Sequence, residues 1–595
     1  SGLSLGLFAS LLVSPTTGNV LSDALGIGVV LTLLASALGY DGEQLILLSA
    51  LPLFAFAIAA LMPSRAAAFL LVGLVASAAL AFMDPTELSI ILGDFTGIGM
   101  GMAYSALGLG LVVGAAALIA RWTLTKLPAG TWRAALAAVL AGLLWTGLLV
   151  SYFTLGHRGF YGDRLFVIFK EQADLSDVAK IPDRNERLTA AYKEMTALAN
   201  DSQADLRASL DSFGVDYTPY YLVNAMEVRG GTLVRLYLLT RPEVDRVIPS
   251  PRLRPIPADE PSRGYEESVS GEPQWNIKMI GADEVWEEFG ARGEGIVVGQ
   301  SDSGVDGSHP AIRDQYRGHA GGDDYNWFDP WDGTTSPNDE MGHGTHTVGT
   351  ILGRDGIGIA PEAQWFACVN LDRNLGNPAL YLDCMQFMLA PFPQGGDPFA
   401  DGDPTRAAHV LNNSWGCPEL EGCDPTALLA AANNLRAAGI FVVVSTGNDG
   451  PECNTVKDPL SLYESVFSVG AVDEQGNVAG FSSRGPVTAD GSGRMKPDIA
   501  APGVGILSST PLGAYEYNSG TSMAGPHVVG AVALLWSAVP SLIGDIDRTE
   551  QILIESASPY RGDRSYGCFE GGAPNAAYGY GILNVYEAVK LALGK

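Results

Sequence analysis

The chain has 595 residues, and its 36 Lys and Arg residues against 65 Asp and Glu give a formal net charge of −29 at pH 7. This length is too great for a single domain. The acidic balance argues against a nucleic-acid partner, because binding to phosphates requires a basic face.

Residues 1–157 are predicted to form a membrane domain. The first 155 residues carry four basic and six acidic side chains, and long uncharged apolar runs fall between them. A helix needs roughly 17 to 25 apolar residues to span a bilayer. We therefore predict an all-α transmembrane bundle of five or six spans, with a helical soluble core as the alternative. The predicted spans are Ala24–Tyr40, Leu45–Met62, Ala66–Met83, Ile98–Ala120 and Ala134–Phe153, with Leu3–Val13 as the sixth candidate.

The loops between the predicted spans indicate an orientation. Arg65 lies in one loop and Arg121, Lys126 and Arg133 lie in another, whereas the alternate loops contain no Lys or Arg. The positive-inside rule places the basic loops in the cytoplasm. We therefore expect a multi-pass protein of the cell membrane with its later domains on the extracytoplasmic side. The lipid bilayer is then an expected partner, and membrane-complex partners stay open.

The next segment, residues 160–250, has the pattern of a small α+β domain. Its predicted elements are a strand at Leu165–Phe169, helical stretches at Asn185–Asn200 and Ser202–Phe213, a hairpin at Tyr217–Val228, a short helix at Thr232–Thr240 and a strand at Val244–Ile248. Residues 251–272 follow as a link rich in Pro, Glu and Ser. This link lacks apolar periodicity, which predicts a flexible and exposed segment.

Three motifs in residues 273–595 supply the groups of a nucleophilic catalyst. Asp302 ends a predicted buried strand, His343 opens an apolar helix, and Ser522 precedes an apolar helix that ends near Trp536. A serine hydroxyl is a poor nucleophile at neutral pH. It needs an imidazole to accept its proton and a carboxylate to orient that imidazole.

These motifs, in the order Asp302-Ser303-Gly304, Gly342-His343-Gly344 and Gly520-Thr521-Ser522, resemble those of the subtilisin-like serine peptidases, or subtilases. The resemblance implies an α/β catalytic domain with a parallel sheet and a triad of Asp302, His343 and Ser522. It also implies that the amide of Asn448, with the backbone NH of Ser522, forms the oxyanion hole. Turn and helix-start residues that coincide by chance are the alternative interpretation.

The same resemblance implies a protein or peptide substrate and two walls of the S1 pocket. One wall is formed by Ser414, Trp415 and Gly416, and the other by Ser445, Thr446 and Gly447. Spacing alone does not locate the floor of this pocket. The preference for the residue before the cleaved bond, P1, therefore stays open.

The α+β domain resembles the inhibitor-type propeptide of subtilases, a ferredoxin-like fold that assists folding and blocks the active site with its C-terminal tail. The implied function is a membrane-anchored extracytoplasmic serine endopeptidase that is initially restrained by its own propeptide domain. One alternative is a propeptide-locked, non-catalytic accessory subunit of a membrane complex. Another is a chain in which the membrane bundle is the functional part. A generic linker domain is the alternative for residues 160–250.

All six cysteines lie in the peptidase region, and an even number is expected for disulfides in an oxidising compartment. Six cysteines allow fifteen pairings. Short separation favours Cys417 with Cys423 and Cys368 with Cys384, which leaves Cys453 with Cys568. Buried reduced thiols are the alternative.

No cofactor is expected for this chemistry, and no metal ligand set is predicted. Subtilases with a strong calcium site have a longer loop than Leu352–Gly356 at this place, so that site is expected to be absent. Asp397, Asp401 and Asp403 lie in a glycine-rich loop and leave a calcium site open, although solvated acidic turns are the commoner case.

Overall fold

The computed structural model describes Thr146 and residues 164–595, with gaps at 231, 253–268, 320, 373–374, 565–567 and 570. Within this range an α+β domain is followed by a larger α/β domain. Residues of both belong to one compact unit.

The α+β domain is a four-stranded antiparallel sheet covered by two helices. Its elements are β1 (Arg164–Phe169), α1 (Arg184–Phe213), β2 (Tyr217–Tyr220), β3 (Ala225–Arg229), α2 (Thr232–Leu238) and β4 (Val244–Pro249). The strand order is β2-β3-β1-β4. The two helical stretches predicted around Asp201 form one continuous helix. Its buried residues continue at helical spacing through Ala199, Gln203 and Leu206, so no break is required.

The α/β domain is built on a seven-stranded parallel sheet with the order β11-β10-β9-β8-β5-β7-β6. Its strands are β5 (Val297–Asp302), β6 (Trp327–Phe328), β7 (Gln364–Val369), β8 (Val410–Asn413), β9 (Phe441–Ser445), β10 (Phe467–Val472) and β11 (Ile499–Pro502). A separate two-stranded sheet is formed by β12 (Ile506–Thr510) and β13 (Ala514–Asn518). The helices are α3 (Trp275–Met279), α4 (Ala282–Glu288), α5 (His343–Leu352), α6 (Pro378–Leu389), α7 (Leu429–Ala437), α8 (Thr521–Ala538), α9 (Ile546–Glu555) and α10 (Val585–Ala592).

The predicted transmembrane bundle, and with it the multi-pass membrane localisation, is contradicted. Among the described residues, no helix combines the length and the hydropathy needed to cross a bilayer. The long helix α1 carries charged residues along its length, and α8 buries its apolar side chains inside the α/β domain. Apart from Thr146, the spans predicted within residues 1–157 lie outside the described residues.

The register of the sheet brings three strand ends to one edge. Ser301 of β5 pairs with Asn413 of β8, and Asn413 pairs with Val444 of β9. Because these strands are parallel, the residues that follow them emerge side by side. Ligands and reacting groups bind at this edge in open α/β sheets.

The α+β domain packs against α6 and α7 through a shared apolar core. The β2–β3 loop residues Tyr221 and Leu222 are almost fully buried in this core. Their backbone NH groups donate to Gln386 Oε1 on α6, at 2.7 and 3.1 Å. On α7, Asn434 Nδ2 donates to the Leu222 carbonyl at 2.8 Å. The loop is therefore bound through hydrogen bonds to its backbone as well as through apolar contact.

The link predicted at residues 251–272 is exposed at Arg252 and at residues 270–272, but its start is packed against the α/β domain. Ser250 and Pro251 are buried, and Asn377 Nδ2 donates to the Pro251 carbonyl at 2.9 Å. A Cβ at Gly422 would lie 2.2 Å from the Pro249 carbonyl oxygen, so the tail follows a path that only glycine leaves open. Residues 253–268 of the predicted linker lie outside the described residues.

The predicted disulfides are confirmed. The structure pairs Cys368 with Cys384, Cys417 with Cys423, and Cys453 with Cys568. The second bridge closes a short loop directly after Ser414–Gly416. It therefore constrains the chain beside one predicted wall of the S1 pocket.

Candidate active site

Asp302 and His343 form a hydrogen-bonded pair at the carboxyl edge of the sheet. Asp302 is the last residue of β5 and is fully buried, and its Oδ1 lies 2.7 Å from Nδ1 of His343, the first residue of α5. Burial alone lowers the pKa of His343. The charge and hydrogen bond of Asp302, with a smaller contribution from Asp339, outweigh burial and leave this pKa above its ordinary value.

Asp339 fixes the start of the helix that carries His343. One carboxylate oxygen accepts from the backbone NH groups of Met341 and Gly342 and from Ser303 Oγ, at 2.8 to 3.0 Å. The other accepts from the backbone NH and the hydroxyl of Thr345, at 2.9 and 2.6 Å. These bonds satisfy donors that a helix N-terminus otherwise leaves unpaired. Burial raises the pKa of Asp339, although the bonds from Thr345 and Gly342 lower it.

Ser522 is the second residue of α8, and α8 packs against α5. Its hydroxyl is partly accessible and donates to the Ser414 carbonyl at 3.2 Å, while Ser414 Oγ donates to the Ser522 carbonyl at 3.1 Å. The predicted nucleophile is therefore joined directly to the first residue of one predicted S1 wall.

The amide of Asn448 is oriented by Thr521. Asn448 Oδ1 accepts from the backbone NH and the hydroxyl of Thr521, at 2.9 and 3.0 Å, which turns its NH₂ group away from that residue. A Cβ built on Gly520 would lie 3.6 Å from both Asn448 Nδ2 and the backbone nitrogen of Ser522. The two nitrogens predicted to form the oxyanion hole thus lie around one small space.

Both predicted walls of the S1 pocket are fixed by contacts with neighbouring residues. Trp415 stacks on Tyr381 with 4.0 Å between ring centroids, and the Tyr381 hydroxyl donates to the Gly416 carbonyl at 3.2 Å. On the other side, Ser445 Oγ donates to the Thr521 carbonyl at 2.9 Å. Thr446 is buried, and Gly447 adopts a positive φ of 103° that favours glycine.

Two further histidines, His346 and His527, lie in the helices that carry His343 and Ser522. Both are fully buried, and burial lowers the pKa of each to about 4. Within the described residues, no group of three His, Cys, Asp or Glu side chains is arranged to hold a metal ion. In the acidic loop, Asp401 accepts from the Asp397 backbone NH, and Asp403 accepts from Thr405.

Comparison with known proteins identifies the class to which this fold and site belong. Residues 293–581 match the family model described as the subtilase family. Bacillopeptidase F of Bacillus subtilis (strain 168) is 34% identical over 431 residues, which cover 68% of this chain and 29% of that protein. Subtilisin DY of Bacillus licheniformis is 31% identical over 322 residues, which cover 53% of this chain and 98% of that protein. Subtilisin E of Bacillus subtilis (strain 168) is 30% identical over 347 residues, or 57% of this chain and 76% of that protein.

The chain therefore belongs to the subtilase family of serine peptidases. It spans less than a third of the length of bacillopeptidase F.

Sequence reasoning did not identify Asp339 or Thr521 as part of this site. The sequence position of each residue could have indicated its role. Asp339 stands just before a predicted helix start, where acidic side chains bind free NH groups, and Thr521 is the immediate neighbour of Ser522.

Proposed function

We propose that this protein is a serine endopeptidase that hydrolyses peptide bonds through an acyl-enzyme and is restrained by its own α+β domain until that domain is cut away. The observation that carries the proposal is the 2.7 Å bond between buried Asp302 and His343 in a member of the subtilase family.

In the proposed reaction, Ser522 Oγ attacks the substrate carbonyl. His343 Nε2 accepts the serine proton and later donates it to the leaving amine, while Asp302 orients the ring and stabilises its protonated form. The raised pKa of His343 favours the form that exists after proton transfer. Only protein side chains and water take part in these steps, so no cofactor is assigned.

The oxyanion of the tetrahedral intermediate is assigned to the space between Asn448 Nδ2 and the Ser522 NH. Loss of one such donor costs about 3 to 4 kcal/mol of transition-state stabilisation in a comparable enzyme. Thr521 acts through Asn448, because its two bonds to Asn448 Oδ1 decide which face of the amide points to the substrate. We therefore assign Thr521 a positioning role.

Three features support a restraining role for the α+β domain. It precedes the peptidase in the chain, it shares an apolar core with α6 and α7, and its tail at Pro249–Arg252 is packed beside Gly422 and Asn377. Gly422 lies in the disulfide loop that follows Ser414–Gly416. The alignment with bacillopeptidase F is also longer than the matched peptidase region, so it includes residues outside 293–581.

The test compares the full chain with its Ser522→Ala variant. Both are incubated with a fluorophosphonate probe that reacts with activated serines, and intact mass is used to detect cleavage in residues 249–271. We expect the wild type to be labelled and cut and the variant to be neither. Peptide hydrolysis should fall by about 10⁴-fold to 10⁶-fold in the variant.

An unlabelled and uncut wild type, correctly folded by circular dichroism, contradicts the proposal. That result favours a locked, non-catalytic accessory subunit. If the wild type is labelled and active but stays uncut, the proposed peptidase activity is supported and the proposed self-cleavage is contradicted.

A further inference from the structure

An acidic side chain lies against one predicted wall of the S1 pocket. A Cβ built on Gly416 would lie 3.2 Å from Asp458 Cβ and 4.0 Å from Asp458 Oδ2. The next residues tie the two segments together, because the Cys417 NH donates to the Pro459 carbonyl at 2.7 Å. Asp458 is therefore held beside the wall by backbone bonding and does not depend on a free loop for its position.

The position of Asp458 fits the length of a basic side chain. Ser414 is bonded to Ser522 through the 3.2 Å contact of the serine hydroxyl, and Gly416 is two residues further along the same wall. Two residues of backbone span at most about 7 Å. A Lys or Arg side chain that starts at the cleaved bond can cover a distance of that size with its long stem.

Asp458 has no ion-pair partner among the described residues, although the charge of the neighbouring Lys457 acts on it. The neighbouring Lys457 has its Nζ 3.5 Å from Asp449 Oδ2, and no described Lys, Arg or His forms an ion pair with Asp458. Partial burial raises the pKa of Asp458; Lys457 lowers it and Asp449 raises it again. A carboxylate that has lost water and lies near a second carboxylate is stabilised by an incoming cation.

We propose that Asp458 determines the specificity of the S1 pocket and that the preferred substrates carry Arg or Lys at P1. The proposal rests on the peptidase function stated above. An aspartate in the S1 pocket selects basic P1 residues in serine peptidases of an unrelated fold. Arg is the better fit of the two, since its planar guanidinium forms paired hydrogen bonds with a carboxylate.

The test uses three peptides that differ only at P1, with Arg, citrulline or Phe. Citrulline has nearly the shape of Arg without its charge, so the Arg-to-citrulline ratio of kcat/KM isolates the charge. We expect wild type to favour Arg by about 10-fold to 100-fold. This ratio should fall toward one in Asp458→Asn and Asp458→Ser. Glu452→Gln removes an equal charge from an exposed residue of the same segment and should keep the wild-type ratio.

Equal rates for Arg and citrulline in the wild type overturn the proposal, as does a wild-type ratio retained in both Asp458 variants. All rates are divided by the concentration of enzyme labelled by the serine probe. If the Phe peptide is cleaved and Arg is not preferred, the proposed specificity is contradicted, but the proposed peptidase function is not. Absence of labelling and of all cleavage overturns the peptidase function as well. If neither variant folds, the wild-type ratio alone decides.

Discussion

Asp339→Asn tests whether the carboxylate before α5 fixes both the helix and the titration of His343. The amide oxygen of Asn can still accept from Met341, Gly342 and Ser303, but its NH₂ group takes the place of the oxygen that now accepts from Thr345. The Thr345 NH then faces a donor. A hydrogen bond to a charged group contributes about 1.5 to 3 kcal/mol, so the loss of the bond from the Thr345 NH should lower the free energy of unfolding by at least that amount.

The same substitution removes a negative charge that raises the pKa of His343. In the proposed mechanism His343 must be neutral to accept the proton of Ser522, so activity is expected to rise as the pH passes upward through the pKa of His343. Without Asp339 that pKa is lower, and the acid limb of the kcat/KM profile, which reports the free enzyme, moves to lower pH. The two readouts are urea unfolding and a pH series of kcat/KM.

Glu340→Gln is the matched control, because Glu340 is the next residue and is exposed. Exposed substitutions usually change stability by less than about 0.5 kcal/mol, and we expect no movement of the acid limb. An Asp339→Asn enzyme that is as stable as the wild type, or whose acid limb stays in place or moves to higher pH, refutes the assigned role of Asp339.

Three further predictions concern positioning, restraint and metal. Thr521→Val should lower kcat about 10-fold with little change in KM, and it should add nothing in an Asn448→Ala background, because Thr521 acts through Asn448. Independent losses in the double variant would contradict this. Gln386→Leu leaves the NH groups of Tyr221 and Leu222 unpaired, so the uncut chain should show higher peptidase activity; unchanged activity argues against restraint through this contact. A chelator should leave the melting temperature unchanged, and a lower value would reveal a structural ion.

The predicted catalytic residues could be proposed from the sequence because each has a local signal, and their catalytic roles stay predictions. A buried run of apolar residues ends at Asp302, and short glycine-containing turns precede both His343 and Ser522. The residues around each motif therefore predict whether it stands at the end of a strand or at the start of a helix. The parallel register of β5, β8 and β9 then brings Asp302 and the two predicted S1 walls to one edge of the sheet.

The placement of Asp458 beside a predicted wall of the S1 pocket could not be predicted from the sequence, for a different reason. Gly416 and Asp458 come from separate segments, and only the packing of the chain after Asn448 against the loop after β8 places them together. Gln386 is a similar case. It lies in an apolar helix and gave no sign that its side chain accepts two backbone NH groups from another domain.

Composition alone misled in two places. Uncharged apolar runs predicted a membrane bundle, but the helices of the described residues do not include one that spans a bilayer. A proline-rich composition predicted an exposed link over residues 251–272, and among its described residues Arg252 and residues 270–272 are exposed, whereas Pro251 is buried against the α/β domain. Proline has no NH group to satisfy, which makes it well suited to a tail packed without regular pairing.

The most direct test of the central claim is to identify the residue that the serine probe modifies. Wild type and His343→Gln are treated with the fluorophosphonate, digested and mapped by mass spectrometry. We expect a single modified serine, Ser522, in the wild type and at least about 10³-fold slower modification in His343→Gln. Modification of another serine, or equal rates in the two proteins, would contradict the assignment of His343 as the base that activates Ser522.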